Sequence, residues 1–244
     1  MNLDLLRDLV QHTVGLELFD TIRIRGTATE TRIDAINKER QMTMEAKSLI
    51  AEPEFQGVFA MPSLGRLSAI LNIPEYKENA KIELINADRN GETVATGLHF
   101  ENEKGDFKND YRFMSMEIIN EKLKTVKFKG AKWDIEFEPT QQSIQRLKFQ
   151  AAAHSEETVF QIRTEDDNLV VSFGDASTHA GSFTFQPGVT GKLKQTWSWP
   201  VVQVMSILNL PGDITMKIAD VGAMMITVDS GIATYDYILP AQSK

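Results

Sequence analysis

Residues 67–74 read "LSAILNIP" and residues 204–211 read "VMSILNLP". Short apolar octets recur by chance, but here the surroundings recur as well. Pro62 precedes the first copy and Pro200 the second. A short polar turn follows each, then an alternating stretch: "AKIELI" from Ala80 and "ITMKIA" from Ile214. Alternation of apolar and polar residues marks a half-buried strand, whereas apolar residues at helical spacing mark a helix. The repeated object is therefore a unit of strand, helix, Asn-Ile/Leu-Pro stop and strand. Its copies lie about half a chain apart, so the sequence reads as two similar domains in tandem. We place them at 1–115 and 133–244, with a connector at 116–132.

The bulk properties fit two such domains. The 244 residues are 42% hydrophobic and 25% charged, enough apolar material for ordinary cores without a metal or disulfide staple. With no cysteine, disulfides, thiolate catalysis and Cys-ligated zinc are excluded. No apolar run approaches the roughly 20 residues of a membrane span. The start "MNLDLLRDLVQHTV" carries acidic residues and lacks a small-residue cleavage site, so it does not read as a secretory signal and a cytoplasmic protein is expected. The net charge of −8 argues against nonspecific adhesion of the whole surface to nucleic acid, though not against a basic lining on one face.

Leu6, Leu9 and Val10 give residues 3–13 a helical stripe. "DTIRIRG", "TRIDAIN", "QMTMEAK" and "GVFAM" alternate as short strands of a meander. Pro62 is expected in the opening turn of the next helix. Leu64, Leu67, Ile70 and Leu71 form that helix's buried stripe, and Asn72 with Pro74 ends it. "AKIELINA", "ETVATGLHFE" and "FKNDYRFM" complete the first half as strands. The second half repeats the order. A helix opens near Pro139 with a stripe of Ile144, Leu147 and Ala151; "TVFQIRT", "NLVVSFG", "GSFTFQ" and "LKQTWSW" are strands, and "EDDN" (165–168) is a tight turn. A helix from Pro200 and the strands "ITMKIA", "AMMITVD" and "ATYDYIL" follow. Many antiparallel strands with two short helices per half give an α+β fold.

Chemistry is absent from the pattern. His12, His99, His154 and His179 fall in four different elements without metal-ligand spacing. No phosphate loop, nucleophile elbow or nucleotide fingerprint is present. Asp166 and Asp167 sit in a hairpin turn, where solvated acids are ordinary. No catalytic, metal or cofactor site is assigned.

The pieces "PTQQSIQRLKFQAAA" (139–153), "WPVVQVMSILNLPGDITMKIADVGAMMITVD" (199–229) and "ATYDYILPA" (233–241), with the first-domain copy "MPSLGRLSAILNIP…AKIELI", resemble the DNA sliding clamps, the polymerase processivity factors. The likeness is to the phage type, related to proliferating cell nuclear antigen (PCNA). The resemblance implies a closed ring, a homotrimer of two-domain subunits with helices inside facing double-stranded DNA. Such a ring slides without reading sequence, tethers a DNA polymerase, is opened by an ATP-dependent clamp loader and needs no catalytic site. In phages it also assists late transcription, and the location would then be the host cytoplasm. DNA-facing residues implied in this way are Arg7, His12, Arg66, Asn72, Gln142, Gln145, Arg146, Phe149 and Asn209. For Asn72 and Asn209 a helix-terminal cap is an equal alternative, and Phe149 stands where cellular clamps have an arginine. A pocket for partner peptides would use Met116, Ile118, Ile119 and Leu123 of the connector with Tyr237, Ile238, Leu239 and Pro240. Subunits would join by edge strands around Phe107, Tyr111 and Phe113 on one side and Phe183 and Phe185 on the other.

Charge supplies an independent check. A sliding ring must hold phosphates weakly and without base readout, so its helices should be mildly basic on an acidic body. The four helices carry Arg7, Arg66, Arg146 and Lys148 against Asp4 and Asp8, in a chain of net charge −8. Two other readings also explain a duplicated β-rich chain without visible chemistry. One is a structural virion protein of tandem β domains; the other is an enzyme whose site assembles at an oligomer interface.

Overall fold

The computed structural model describes the chain apart from residues 1–2, 17, 38, 40, 78, 90, 115–117, 120–127, 129, 176, 178 and 243–244. The contacts divide it into two units. The first comprises residues 1–127 together with 229–235; the second comprises 128–228 together with 236–244.

In the first unit, helix α1 (Leu3–Gln11) precedes strands β1 (Thr21–Gly26), β2 (Thr31–Ile36), β3 (Thr43–Ser48) and β4 (Gly57–Pro62). Helix α2 (Leu64–Leu71) then leads into β5 (Lys81–Arg89), β6 (Glu92–Glu101) and β7 (Lys108–Arg112). One sheet runs β4-β1-β2-β3 and is continued by residues 233–235; the other runs β5-β6-β7. The alternation seen in the sequence is the burial pattern: Ile22 and Ile24 of β1 are buried, and Arg23 between them is only partly exposed. Arg23 lies opposite Asp34 in register and binds its carboxylate at 2.6 Å. Leu64, Leu67, Ile70 and Leu71 of α2 are all buried, each contributing about 2 kcal/mol relative to exposure. Helices α1 and α2 pack on each other.

The second unit repeats the plan with β8 (Ile135–Phe137), α3 (Gln141–Ala153), β9 (Val159–Glu165), β10 (Asn168–Gly174), β11 (Ala180–Gln186), β12 (Trp197–Pro200), α4 (Val201–Leu208), β13 (Asp213–Ala219), β14 (Ala223–Asp229) and β15 (Ala233–Pro240). Its sheets run β11-β10-β9-β12 and β15-β14-β13-β8. The described ladders in both units are antiparallel, which makes the fold α+β. Asp166 and Asp167 both adopt positive φ, 46° and 62°, as the two centre residues of a tight hairpin require. No helix among the described residues is long and apolar enough to cross a membrane.

Several expected details shift. Pro62 closes β4 rather than opening α2, and its carbonyl accepts the Tyr111 hydroxyl. Pro200 is the extended N-cap residue of α4, and Pro139 stands two residues before α3. The prolines therefore pre-set the approach to each helix from outside, where a missing N–H costs nothing. The cap of α3 is Thr140, whose hydroxyl accepts the Ser143 N–H at 3.0 Å. Of "LKQTWSW" only Trp197–Trp199 is strand, continuing to Pro200, and the Leu193 and Lys194 N–H groups donate to the Thr164 hydroxyl and the Asp220 carboxylate instead of to a ladder. Ala151 is partly exposed; Ser143 completes the buried stripe of α3 with Ile144 and Leu147.

Besides continuing the sheet, residues 229–235 are held to α1 through one buried carboxylate. Asp8 of α1 accepts the Tyr235 hydroxyl at 2.6 Å and the Ser230 hydroxyl at 2.9 Å. The His12 ring, fully buried, lies 3.3 Å from the same carboxylate and stacks on Tyr235 with centroids 4.4 Å apart. Burial pushes the Asp8 pKa up, but these hydrogen bonds and His12 outweigh it and hold the carboxyl below its ordinary value. A depressed carboxylate contributes stability that is present above its ordinary pKa and lost as pH falls through the folded value. Asp8→Asn should therefore cost about 2 kcal/mol at neutral pH. In urea titrations the gap between wild type and variant should close below about pH 4; a gap independent of pH would show that the charge is not what holds Ser230 and Tyr235.

Candidate nucleic-acid interface

Short amphipathic helices leave one face for solvent, and the outward faces here are chemically uneven. On α3 the buried positions Ser143, Ile144 and Leu147 leave Gln142, Gln145, Arg146 and Phe149 exposed, in the pattern expected from the sequence. Arg146 places its guanidinium 5.9 Å from the Phe183 ring centroid on β11, a cation–π contact. Nearby, Gly181 of β11 lets the Gln150 and His154 side chains approach the strand: a Cβ there would stand 2.3 Å from Gln150 Oε1 and 2.6 Å from the His154 ring. Arg66 is exposed on α2 and Arg7 half-exposed on α1. Among the described residues, neither Arg66 nor Arg146 makes an ion pair. Asp8 is buried beneath α1, so Asp4 is the one exposed acid on these helices, against Arg7, Arg66, Arg146 and Lys148. The outer surface of the helices is thus more positive than their sequence sum suggests.

His12 does not belong to this surface: it is 0% exposed and enclosed by Asp8 and Tyr235. Asn72 and Asn209 are exposed and cap the ends of α2 and α4. The Asn72 amide turns back to Ser68 O at 2.9 Å, so its side chain is engaged with its own helix. The i, i+4 spacing of Asp8 and His12 was visible in the sequence, whereas their partner Tyr235 lies 227 residues from Asp8.

The expected peptide-pocket residues divide by burial. Ile118 is 41% exposed and Pro240 is exposed. Ile119, Tyr237, Ile238 and Leu239 are buried core residues, which corrects their reading as direct peptide contacts. Tyr237 and Leu239 point inward as alternate residues of β15, and Ile238 is covered on the opposite face. Met116 and Leu123 lie outside the described residues.

Among the subunit-contact residues, Phe107 is exposed beside Tyr76, and Phe113 is partly exposed with its ring stacked on Phe59 at 4.6 Å. Phe183 is partly exposed beneath Arg146. Tyr111 and Phe185 are corrected to core: Tyr111 is sealed against the Pro62 carbonyl, and burial pushes its hydroxyl pKa up, while Phe185 packs edge-on to Phe137. Both β7 and β11 are end strands of their sheets. No group of three or more His, Asp or Glu among the described residues is placed to hold a metal ion.

No family model matches the chain, and no curated protein matches it by sequence. Its backbone does match solved structures. The PCNA of A. fulgidus, bound to the C-terminal region of FEN-1, superposes with a TM-score of 0.72 at 13% identity, covering 100% of this chain and 97% of that one. PCNA from Thermococcus kodakaraensis gives 0.66 at 12% identity, with 99% and 98% covered. Proliferating cell nuclear antigen from Entamoeba histolytica gives 0.66 at 10%, with 99% and 96% covered. The chain therefore has the PCNA-like sliding-clamp fold from end to end.

The division of α3 into faces is directly measurable. Phe149 is 64% exposed, so Phe149→Gln should change unfolding free energy by no more than about 0.5 kcal/mol. Leu147→Ala, two residues away and 1% exposed, should cost about 3 kcal/mol in the same denaturant titration.

Proposed function

We propose that this protein is a sliding clamp: a homotrimeric ring that encircles duplex DNA without sequence readout and tethers the replicative DNA polymerase. The observation that carries this reading is the pairing of mildly basic helix faces, on which Arg66 and Arg146 make no ion pair among the described residues, with an acidic body, on a clamp fold matched over the whole chain. Arg66 and Arg146 supply the principal phosphate contacts, with Arg7, Gln142 and Gln145 beside them. Exposed Phe149 supplies no charge, which keeps the grip weak and the ring mobile. The clamp performs no catalysis of its own and relies on an ATP-dependent loader for opening. Any part in late transcription would use the same sliding platform.

The internal repeat supports a specific closure. In the first unit, β3 is continued by the opening residues of β15. The repeat counterpart of β3 is β11, and that of β15 is β7. Both counterparts are end strands, and their ladders face nothing among the described residues. Pairing β7 of one subunit with β11 of the next repeats the same joint between molecules and satisfies both edges. Phe107, Phe113 and Phe183 flank that joint. Partner peptides such as the polymerase tail are read by exposed side chains including Ile118 and Pro240.

Light scattering over a dilution series should give a mass near three chains. Loaded protein should stay on closed circular DNA and run off after linearisation. A monomer at every concentration together with equal retention on linear and circular DNA would overturn the proposal. Combined Arg66→Ala and Arg146→Ala should lower the slope of log affinity against log salt by about 1 for each phosphate contact removed, leaving the mass unchanged.

A further inference from the structure

In the second unit the first strand of the β13-β14-β15 meander is not left open. β8 pairs with it antiparallel, Ile135, Glu136 and Phe137 facing Ile218, Lys217 and Met216. Glu136 binds Lys217 at 2.9 Å in the centre of that short ladder. The counterpart of β13 in the first unit is β5, and among the described residues β6 is its sole ladder partner. Among the described residues, no strand takes on β5 the position that β8 takes on β13. A cleft of about 930 Å3 adjoins β5, lined by its residues Ile82 and Glu83 among others, by Thr93 and Ala95 of β6, and by Pro53 and Glu54. The edge is straight from Lys81 to Ile85, where a register shift interrupts the ladder with β6.

The two strands differ in the sign of their central charge. Met216-Lys217-Ile218 and Ile82-Glu83-Leu84 are both apolar–charged–apolar, but the base of one is replaced by an acid in the other. Glu54 adds a second carboxylate to the cleft, and Lys81, paired with Glu83 at 3.0 Å, is its one cation.

We propose that the edge of β5 is a docking site for an extended segment of a partner protein. The segment adds antiparallel to β5 as β8 adds to β13, with the pattern apolar–basic–apolar. Main-chain hydrogen bonds supply affinity, and the alternate side chains and central base supply selectivity. The proposal rests on the internal repeat and does not require that the protein act on DNA.

The probe is a synthetic peptide of residues 133–138 with Glu136→Lys, compared with the unaltered peptide, both fluorescently labelled. The lysine peptide should bind the full-length protein about tenfold more tightly, the effect of reversing one charge at a partly exposed pair. Glu83→Lys should invert the preference, and alternate β5 amides should exchange more slowly with deuterium in the presence of peptide. Absence of binding by both peptides at millimolar concentration would overturn the proposal. So would a preference that Glu83→Lys leaves unchanged, or protection elsewhere than β5. Should β5 amides be protected without peptide and lose protection on dilution, the occupant is a second copy of this chain and the assignment to a partner protein fails.

Discussion

The edge of a β-sheet carries a row of N–H and C=O groups that water or another strand must satisfy, and much of this structure follows from where those edges are placed. Each repeat makes a meander of three strands and, with its helices, a second small sheet, so each repeat produces several ends. Some are closed within the chain: residues 233–235 continue β3, β8 covers β13, and Gln242 makes a single bridge to Ser198 of β12. Met114 does the same for Ala60 of β4. Among the described residues β5, β7 and β11 remain end strands, and these are the edges at which the proposed subunit and partner contacts are made.

How much of this was legible in the sequence depended on the range of the interaction that decided it. Strands such as Thr21–Gly26 and Thr31–Ile36 were visible because alternation is a local consequence of burying one face. The buried stripe of α2 and the exposed face of α3 were visible for the same reason at helical spacing. The three-residue strand β8 was not, because it is too short to show a period and exists by virtue of its ladder to β13. His12 was misplaced on the surface because its enclosure is made by Tyr235, a residue from the other end of the chain. Tyr111, Phe185 and the inward residues of β15 were assigned to surfaces on their strands' location, whereas side-chain direction within the strand decided their burial. The continuation of β3 by residues 233–235 lay in no motif at all; it emerges only from the strand order.

Charge and burial work together at the helices. Net negative charge opposes indiscriminate binding to nucleic acid, so in the proposed clamp a weak DNA contact is made by removing acids from a helix face rather than by crowding it with bases. Burying Asp8 does this: the carboxylate that would oppose Arg7 on α1 is turned inward and used to hold Ser230 and Tyr235. One residue thereby serves the core and adjusts the electrostatics of the face above it. In the second unit, Phe149 and Val202 are exposed and uncharged on their helices.

The hydrogen bond from Tyr235 to Asp8 spans 227 residues, and the segment that carries it is part of the first unit. During synthesis on the ribosome, the earlier-made half thus waits for its last piece until nearly all of the later half has emerged. Vectorial folding, in which an N-terminal domain is finished before its neighbour is translated, is closed to this chain. Its two halves must mature together, and the nascent first unit must survive with one sheet edge and one buried acid uncovered.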